Sequence, residues 1–451
     1  MLKSLREGEQ RTIGYYTKKT AAIFAGDALG QTLQLALSVW MARALGPTQL
    51  GFLILLMAIA AYAEKFGRFT IDKAAVYLLG KGAFGFSQVQ RHLFLISLTL
   101  AAVWVALAFL LKETIYINLL KSQNVPPAAF VLAVLHIPLV IQIINGRMLF
   151  TQTGMARPYN TSLWLTGAIQ LSILAALKLI LGSVNVTLAL GAGLIGHLAT
   201  TAYIQRGLKG VDPGQPFRLN FSLIKELFSR GIRYYAITIT HFLLLRLDLF
   251  LVAYYLDPRQ VAFYSLATTA GQLLWRLPQV AGVFFFPLSA GIKSDAEAAR
   301  FAANTLRHVS YWLVLGAAAG VFLITPATRL LYGPDYLPLV NAFLALLPGI
   351  VTMGAAKIFL EYFNARAWTK PPMRAVAAGL ILNVVLNLAL LPQWGIIGAS
   401  IASSASYTLT MALMGISFLQ KSSLGIMALM PQKEDLKFYA KHLRLKTSTG
   451  A

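Results

Sequence analysis

Twelve apolar stretches, each near the roughly 20 residues that cross a bilayer, fill most of this 451-residue chain and leave only short gaps. They fall approximately at 20–44, 47–63, 92–111, 128–148, 161–181, 184–204, 232–256, 260–290, 304–326, 337–360, 372–391 and 395–419. Hydrocarbon offers no partner to a bare N–H or C=O, so such stretches must be helices. The longest gaps, 64–91 and 205–231, have no room for an extramembrane domain. The fold this predicts is an all-α polytopic membrane protein with about 12 transmembrane helices.

The basic residues alternate from gap to gap. With the N-terminus inside, the cytoplasmic segments and adjoining helix ends hold 31 of the 39 Lys and Arg residues. The opposite face keeps Arg43, Lys112, Lys121, Arg259 and Arg329, while Lys178, Arg246 and Arg276 fall within spans. A bias of that size sets orientation and puts both termini in the cytoplasm. Only 12% of residues are charged, against about 25% in soluble domains. The formal charge of +23 therefore suits anionic lipid head groups rather than nucleic acid. Without cysteine, disulfides, thiolate nucleophiles and Cys-ligated metals are excluded. The polar, basic residues 1–19 and the long apolar stretch after them do not read as a cleaved signal, so the first helix is expected to stay.

The chain repeats at a distance of about 211 residues. ARALGPTQLGFLIL (42–55) faces AYYLDPRQVAFYSL (253–266), sharing Pro47/Pro258, Gln49/Gln260 and Phe52/Phe263 among six identities. LFTQTGMARP (149–158) faces YFNARAWTKP (362–371), with a basic residue before each proline. Two readings fit: membrane loops reusing Pro and Gly, or a duplicated six-helix half. A duplication with six helices per half keeps one orientation and predicts a pseudo-two-fold along the membrane normal with a cavity between halves. The expected domains are an N-terminal bundle at 1–204, a basic linker at 205–231, a C-terminal bundle at 232–419 and a basic tail at 420–451.

Polar groups in hydrocarbon are costly and usually face a wet cavity or one another. Spacings of three, four and seven share a helix face. Asp27, Gln31, Gln34 and Ser38 make one such line in the first span. Ser265, Thr268, Thr269, Gln272, Arg276 and Gln279 make a second in the eighth. Tyr234, Thr238, His241 and Asp248 make a third in the seventh, with Arg246 off that line. One reading is a water-filled lumen with Arg276 and Arg246 as its cations and Gln31, Gln34, Gln272, Gln279 and Thr238 as polar lining. Asp27, Asp248 and His241 would then be candidates to bind a coupling proton or sodium ion. The other reading is polar glue between packed helices. Hydroxyls suit the second, because they can bond their own helix. A guanidinium suits the first, because it cannot shed its charge. His136 and His197 are lone histidines in apolar settings and read as structural, with a protonation role as the alternative. Pro278 should kink the eighth helix and Pro138 the fourth.

Gly191, Gly193 and Gly196 match G-x-G-x-x-G, but no strand precedes them, so they read as close helix packing rather than a dinucleotide site. No organic cofactor, catalytic residue or metal site is expected, and no phosphate-cradling loop marks ATP hydrolysis.

ARALGPTQLGF (42–52), RLDLFLVAYYLDPRQVAFYSLA (246–267), RLPQVAGVFFFPLSA (276–290), LLYGPDYLPLVNAFLALLPG (330–349) and NVVLNLALLPQWGIIGASIASSAS (383–406) resemble the corresponding segments of Wzx-type polysaccharide flippases. That family shares a superfamily with lipid II flippases and multidrug and toxin extruders. The resemblance implies two six-helix bundles around a central cavity in the bacterial inner membrane. It implies movement of an undecaprenyl-pyrophosphate-linked oligosaccharide, such as an O-antigen unit, to the outer leaflet. Arg276 and Arg246 would meet the anionic pyrophosphate and sugars, with membrane lipids and other polysaccharide assembly proteins as partners. A drug extruder of the same fold, using Asp27 and Asp248, is the nearest rival. A membrane-embedded glycan polymerase, ligase or acyl transferase is the next.

Overall fold

Long apolar runs become long helices. The computed structural model describes residues 2–121, 125–209, 211, 218–430, 432 and 435, and side chains from residue 26 on except 283, 284, 286 and 287. Part of the linker (212–217) and most of the basic tail (436–451) lie outside the described residues. The first half of the chain forms α1 (Leu2–Gly67), α2 (Ile71–Gly80), α3 (Phe86–Leu110), α4 (Lys112–Ile115), α5 (Pro127–Gln152), α6 (Ala156–Leu181) and α7 (Val186–Lys209). There follow α8 (Phe221–Tyr255), α9 (Pro258–Gln272), α10 (Arg276–Gly291), α11 (Asp295–Leu331), α12 (Leu339–Ala365) and α13 (Lys370–Ser422). Nine described helices are long and apolar enough to cross a membrane. Two of them are interrupted: α1 at Gly46 (φ 73°) and α13 at Gly395 (φ 56°). Both angles lie in the left-handed region that glycine adopts without Cβ strain. The chain is a multi-pass, all-helical membrane protein.

Prolines act as their chemistry requires. Pro278 has no N–H to give the Leu274 carbonyl, and the helix breaks into a 3-10 turn at Leu273–Trp275, between α9 and α10. Helix α5, by contrast, runs through Pro138 without a break. The repeated prolines occupy matching places. Pro47 follows the Gly46 kink and Pro258 opens α9, while Pro158 and Pro371 sit in the first turns of α6 and α13, where a missing donor costs nothing.

The described residues divide into two compact units, one of Met1–Ile239 with Asp257–Ala262 and one of Thr240–Leu256 with Phe263–Ala451. The first contains a buried ion cluster at the end of α1. Arg68 reaches Glu64 at 2.9 Å and Asp72 at 2.7 Å, and all three side chains are buried. The turn beside it carries two non-glycine residues in the left-handed region, Phe69 and Thr70. Thr70 Oγ1 donates to the Gly231 carbonyl at 2.5 Å and Tyr235 Oη to the Phe66 carbonyl at 2.8 Å, tying the turn to α8. Asn220 caps α8 by accepting from Leu223 N, and its own N–H donates to His92 Nε2 at 2.9 Å.

The second unit packs its core around Phe285, Phe359, Tyr362, Phe363, Tyr407 and Phe418. Arg307 of α11 is buried and holds the start of the tail. It donates to both Asp435 carboxylate oxygens, at 2.8 and 3.2 Å, and to the Ala428 carbonyl and Asn304 Oδ1. Burial works against the Asp435 carboxylate, but the hydrogen bonds and charge of Arg307 outweigh it and hold this carboxyl below its usual range.

Two outcomes follow from these clusters. Arg68→Met leaves buried Asp72 without its ion-pair partner and Glu64 with only Lys65, at 3.2 Å, and should cost about 3–5 kcal/mol in chemical denaturation of the detergent-solubilised protein. Because the Asp435 carboxyl is held low in the folded state, its contribution is complete above its unbound value of 3.8 and lost as pH falls through the lower folded value. Hydrogen exchange at residues 424–430 should therefore speed up only in strong acid for the natural chain. It should already be fast at neutral pH for Asp435→Ala.

Candidate functional site

Charge within the spans of the second unit gathers along α8, α10 and α12. His241, Pro278, Gln279, Lys357, Leu360 and Glu361 line a cleft of ≈ 480 Å³. Lys357 lies eight residues before the end of α12, and its ammonium sits 4.3 Å from the centroid of the Trp275 ring. That ring is buried, and its Nε1–H donates to the Ile350 carbonyl at 2.7 Å. The indole is thus fixed and presents a face on which a cation is favoured. Arg276, next along the chain, lies near enough for its charge to act on Lys357. Cations at this range repel, and a charge kept inside a membrane helix is costly. Glu361, one turn after Lys357 on the same helix, is half-buried and lines the same cleft.

Arg246 is held at one side, its Nη2 donating to Gln272 Oε1 at 3.2 Å. Of the sequence candidates, His241 and Gln279 therefore line the cleft, Arg276 stands beside Lys357, and Arg246 and Gln272 pair with each other. Asp27, Gln31, Gln34 and Thr238 belong to the other unit. Asp27 and Gln31 are half-buried and Gln34 is exposed. The Thr238 hydroxyl donates to its own helix at the Tyr234 carbonyl, at 2.8 Å.

Asp248 is buried in a polar cluster of its own. Its Oδ1 accepts from Leu249 N at 2.8 Å. Its Oδ2 accepts from Ser403 Oγ at 2.9 Å and, in a short bond, from Tyr264 Oη. Asn383 Nδ2 donates to Ser403 Oγ at 3.2 Å, and Asn387 Nδ2 donates to Asn383 Oδ1 at 3.1 Å. Asn387 Oδ1 and Ser400 Oγ, both buried, have no hydrogen-bond partner in the protein. Ser403 and Asn383 thus link the Asp248 carboxyl to Asn387 through a chain of hydrogen bonds.

Sequence reasoning missed Lys357, Glu361, Trp275, Tyr264, Asn383 and Asn387. Spacing held some signal: Lys357/Glu361 and Asn383/Asn387 are both i, i+4 pairs inside apolar runs. Lys357 was hidden because it falls near the basic gap after α12 and counts there as a positive-inside residue. His136 and His197, read as lone histidines, meet edge to face with ring centroids 5.1 Å apart. The glycines of 191–196 do pack closely. A Cβ on Gly196 would lie 2.8 Å from the Thr166 carbonyl.

The profile of the family described as "Polysaccharide biosynthesis protein" matches residues 16–293, and the chain belongs to that family. Among solved structures, "Lipid II flippase MurJ, inward closed conformation" shares its fold with a TM-score of 0.71 and 17% identity, over 90% of each chain. An inward-facing multidrug resistance MATE family transporter of the MOP superfamily gives a TM-score of 0.65 at 13% identity, over 89% of this chain and 98% of its own. The eukaryotic MATE transporter AtDTX14 gives 0.62 at 14% identity, over 92% and 98%. No curated protein matches.

Proposed function

We propose that this protein is a flippase. It moves a polyprenyl-pyrophosphate-linked oligosaccharide from the inner to the outer leaflet of the bacterial inner membrane, for export of a surface polysaccharide. The observation that carries this reading is the neighbouring pair Arg276 and Lys357 beside a cleft lined by His241 and Gln279. Cations kept inside membrane helices are expensive and mark the path of an ion or substrate. A guanidinium brings forked donors suited to phosphate oxygens, and an ammonium adds a mobile point charge. Hydroxyl-rich sugars call for amide partners, which Gln279 supplies at the cleft. The polyprenyl tail needs no such path, because lipid solvates it. The family's tie to polysaccharide biosynthesis and the fold shared with a lipid II flippase support the same reading. Alternating access would carry the head group past the cleft.

A second reading is an extruder of cationic drugs, favoured by one observation, the Glu361 carboxylate on the cleft wall. The two separate in proteoliposomes. Each charge-assisted bond is worth about 1.5–3 kcal/mol net, so Arg276→Ala and Lys357→Ala should each slow translocation of a lipid-linked glycan by roughly 10- to 100-fold. Glu361→Gln should slow it less. Glycan transport left intact by both cation variants, with dye efflux lost in Glu361→Gln, would favour the extruder. Covalent change of the glycan would indicate an enzyme.

For energy coupling, we propose Asp248 as the ion site. Its carboxylate, Ser403 and the unpartnered Asn387 oxygen offer hard oxygen ligands of the kind that sodium takes, and a proton on the carboxylate is the alternative. Asp27 and His241 are the other coupling candidates. Asp248→Asn should abolish the acceleration of transport by a sodium or proton gradient, whereas Asp27→Asn and His241→Gln should retain it. Transport rates under each gradient decide the assignment.

A further inference from the structure

The first unit contains an arrangement that neither the cleft nor the Asp248 cluster uses. His136 on α5 is completely buried. Its Nδ1 lies 2.7 Å from the Leu132 carbonyl, and the Nδ1 of His197 on α7 lies 2.9 Å from the Gly193 carbonyl. A carbonyl can only accept, so both Nδ1 atoms must carry hydrogen. That fixes one tautomer in each neutral ring and leaves each Nε2 as a bare lone pair. His136 Nε2 is buried and has no hydrogen-bond partner. Burial of a polar atom without a partner is costly and calls for a purpose.

Space for a purpose exists next to that atom. A Cβ placed on Gly193 would stand 3.2 Å from His136 Nε2 and 3.0 Å from Gln170 Nε2. A glycine therefore keeps clear the point between the imidazole and the amide. Gln170, on α6, meanwhile donates to the Ala189 carbonyl of α7 at 3.2 Å.

We propose that the His136–His197 pair is a proton-binding site. One proton attaches to a lone pair at Nε2, and no other bond is made or broken. Two imidazolium rings with centroids 5.1 Å apart would repel, so the pair takes one proton rather than two. Arg147, also on α5, is the further charge that reaches His197. It is clamped, with Nε donating to Ser162 Oγ at 3.0 Å and Nη2 to the Ser162 carbonyl. Protonation turns His136 Nε2 from an acceptor into a donor. The nearby Gln170 amide can answer by turning its oxygen inward, which gives up its bond to Ala189. A proton on α5 is thereby read out in the contact between α6 and α7. Linking this event to transport rests on the flippase reading above, but the binding itself does not.

The test uses the full-length protein in nanodiscs with 15N-labelled histidine. His136→Gln and His197→Gln assign the two rings by NMR, and a titration follows their ring nitrogens from about pH 8 to about pH 4, spanning the ordinary histidine range. The expected result is uptake of one proton shared by the pair. Gly193→Ala, which keeps both rings and fills the space between His136 and Gln170, should shift that titration. Two rings that stay in the Nδ1–H form throughout, or that each take a proton independently, would overturn the proposal. Transport rates in proteoliposomes with an imposed pH difference are measured in parallel. A titrating pair in a protein that moves no lipid-linked glycan would defeat the flippase reading and leave the proton site standing.

Discussion

Hydrocarbon supplies no hydrogen bonds, and each polar group kept in this fold answers to that fact. Most are answered in full. Arg147 is closed off by Ser162, Thr166 by Thr200 at 2.8 Å, Asn145 Nδ2 by Ser97, and the Asp248 carboxylate by three donors. These pairs join helices that would otherwise slide on featureless apolar faces, and they fix which face of each helix turns inward. Others are answered only in part, among them His136 Nε2, Asn145 Oδ1, Asn387 Oδ1 and Ser400 Oγ. A buried atom left without a partner is costly.

The helices were legible in the sequence because length and apolarity decide them. The expected stretches at 128–148 and 161–181 fall inside α5 and α6, and the gaps at 44–47 and 391–395 fall on or beside the Gly46 and Gly395 interruptions. Pro278 was legible as the cause of a break, although the break lies just before it, where the orphaned carbonyl is. At Pro138 the helix continues unbroken through the missing hydrogen bond.

The sites were less legible, because a site is a meeting of helices and periodicity describes only one helix at a time. The line through Gln272, Arg276 and Gln279 is visible along a single run, and of these Gln279 lines the cleft. Lys357 comes from α12 and Asn383 from α13, and no spacing announces that these approach α8 or α10. The histidines show the same limit. Sixty-one residues separate His136 from His197, and only the packing of α5 on α7 turns two solitary rings into a pair. Charge counting also has a blind spot. A lysine near a helix end counts toward topology whether it lies in the head-group layer or, like Lys357, turns inward onto an indole.

The 3-10 turn at Leu273–Trp275 carries a mechanical consequence. Bending an intact helix means breaking backbone hydrogen bonds, but at this turn the proline has already removed one. Flexing there forfeits little further. Trp275 is anchored through its indole to Ile350, and Arg276 is the first residue beyond the turn. The joint therefore has an anchored indole, with a guanidinium mounted just beyond it where α10 begins. A small swing of α10 would re-aim that charge while Gln272, before the turn, keeps its hold on Arg246.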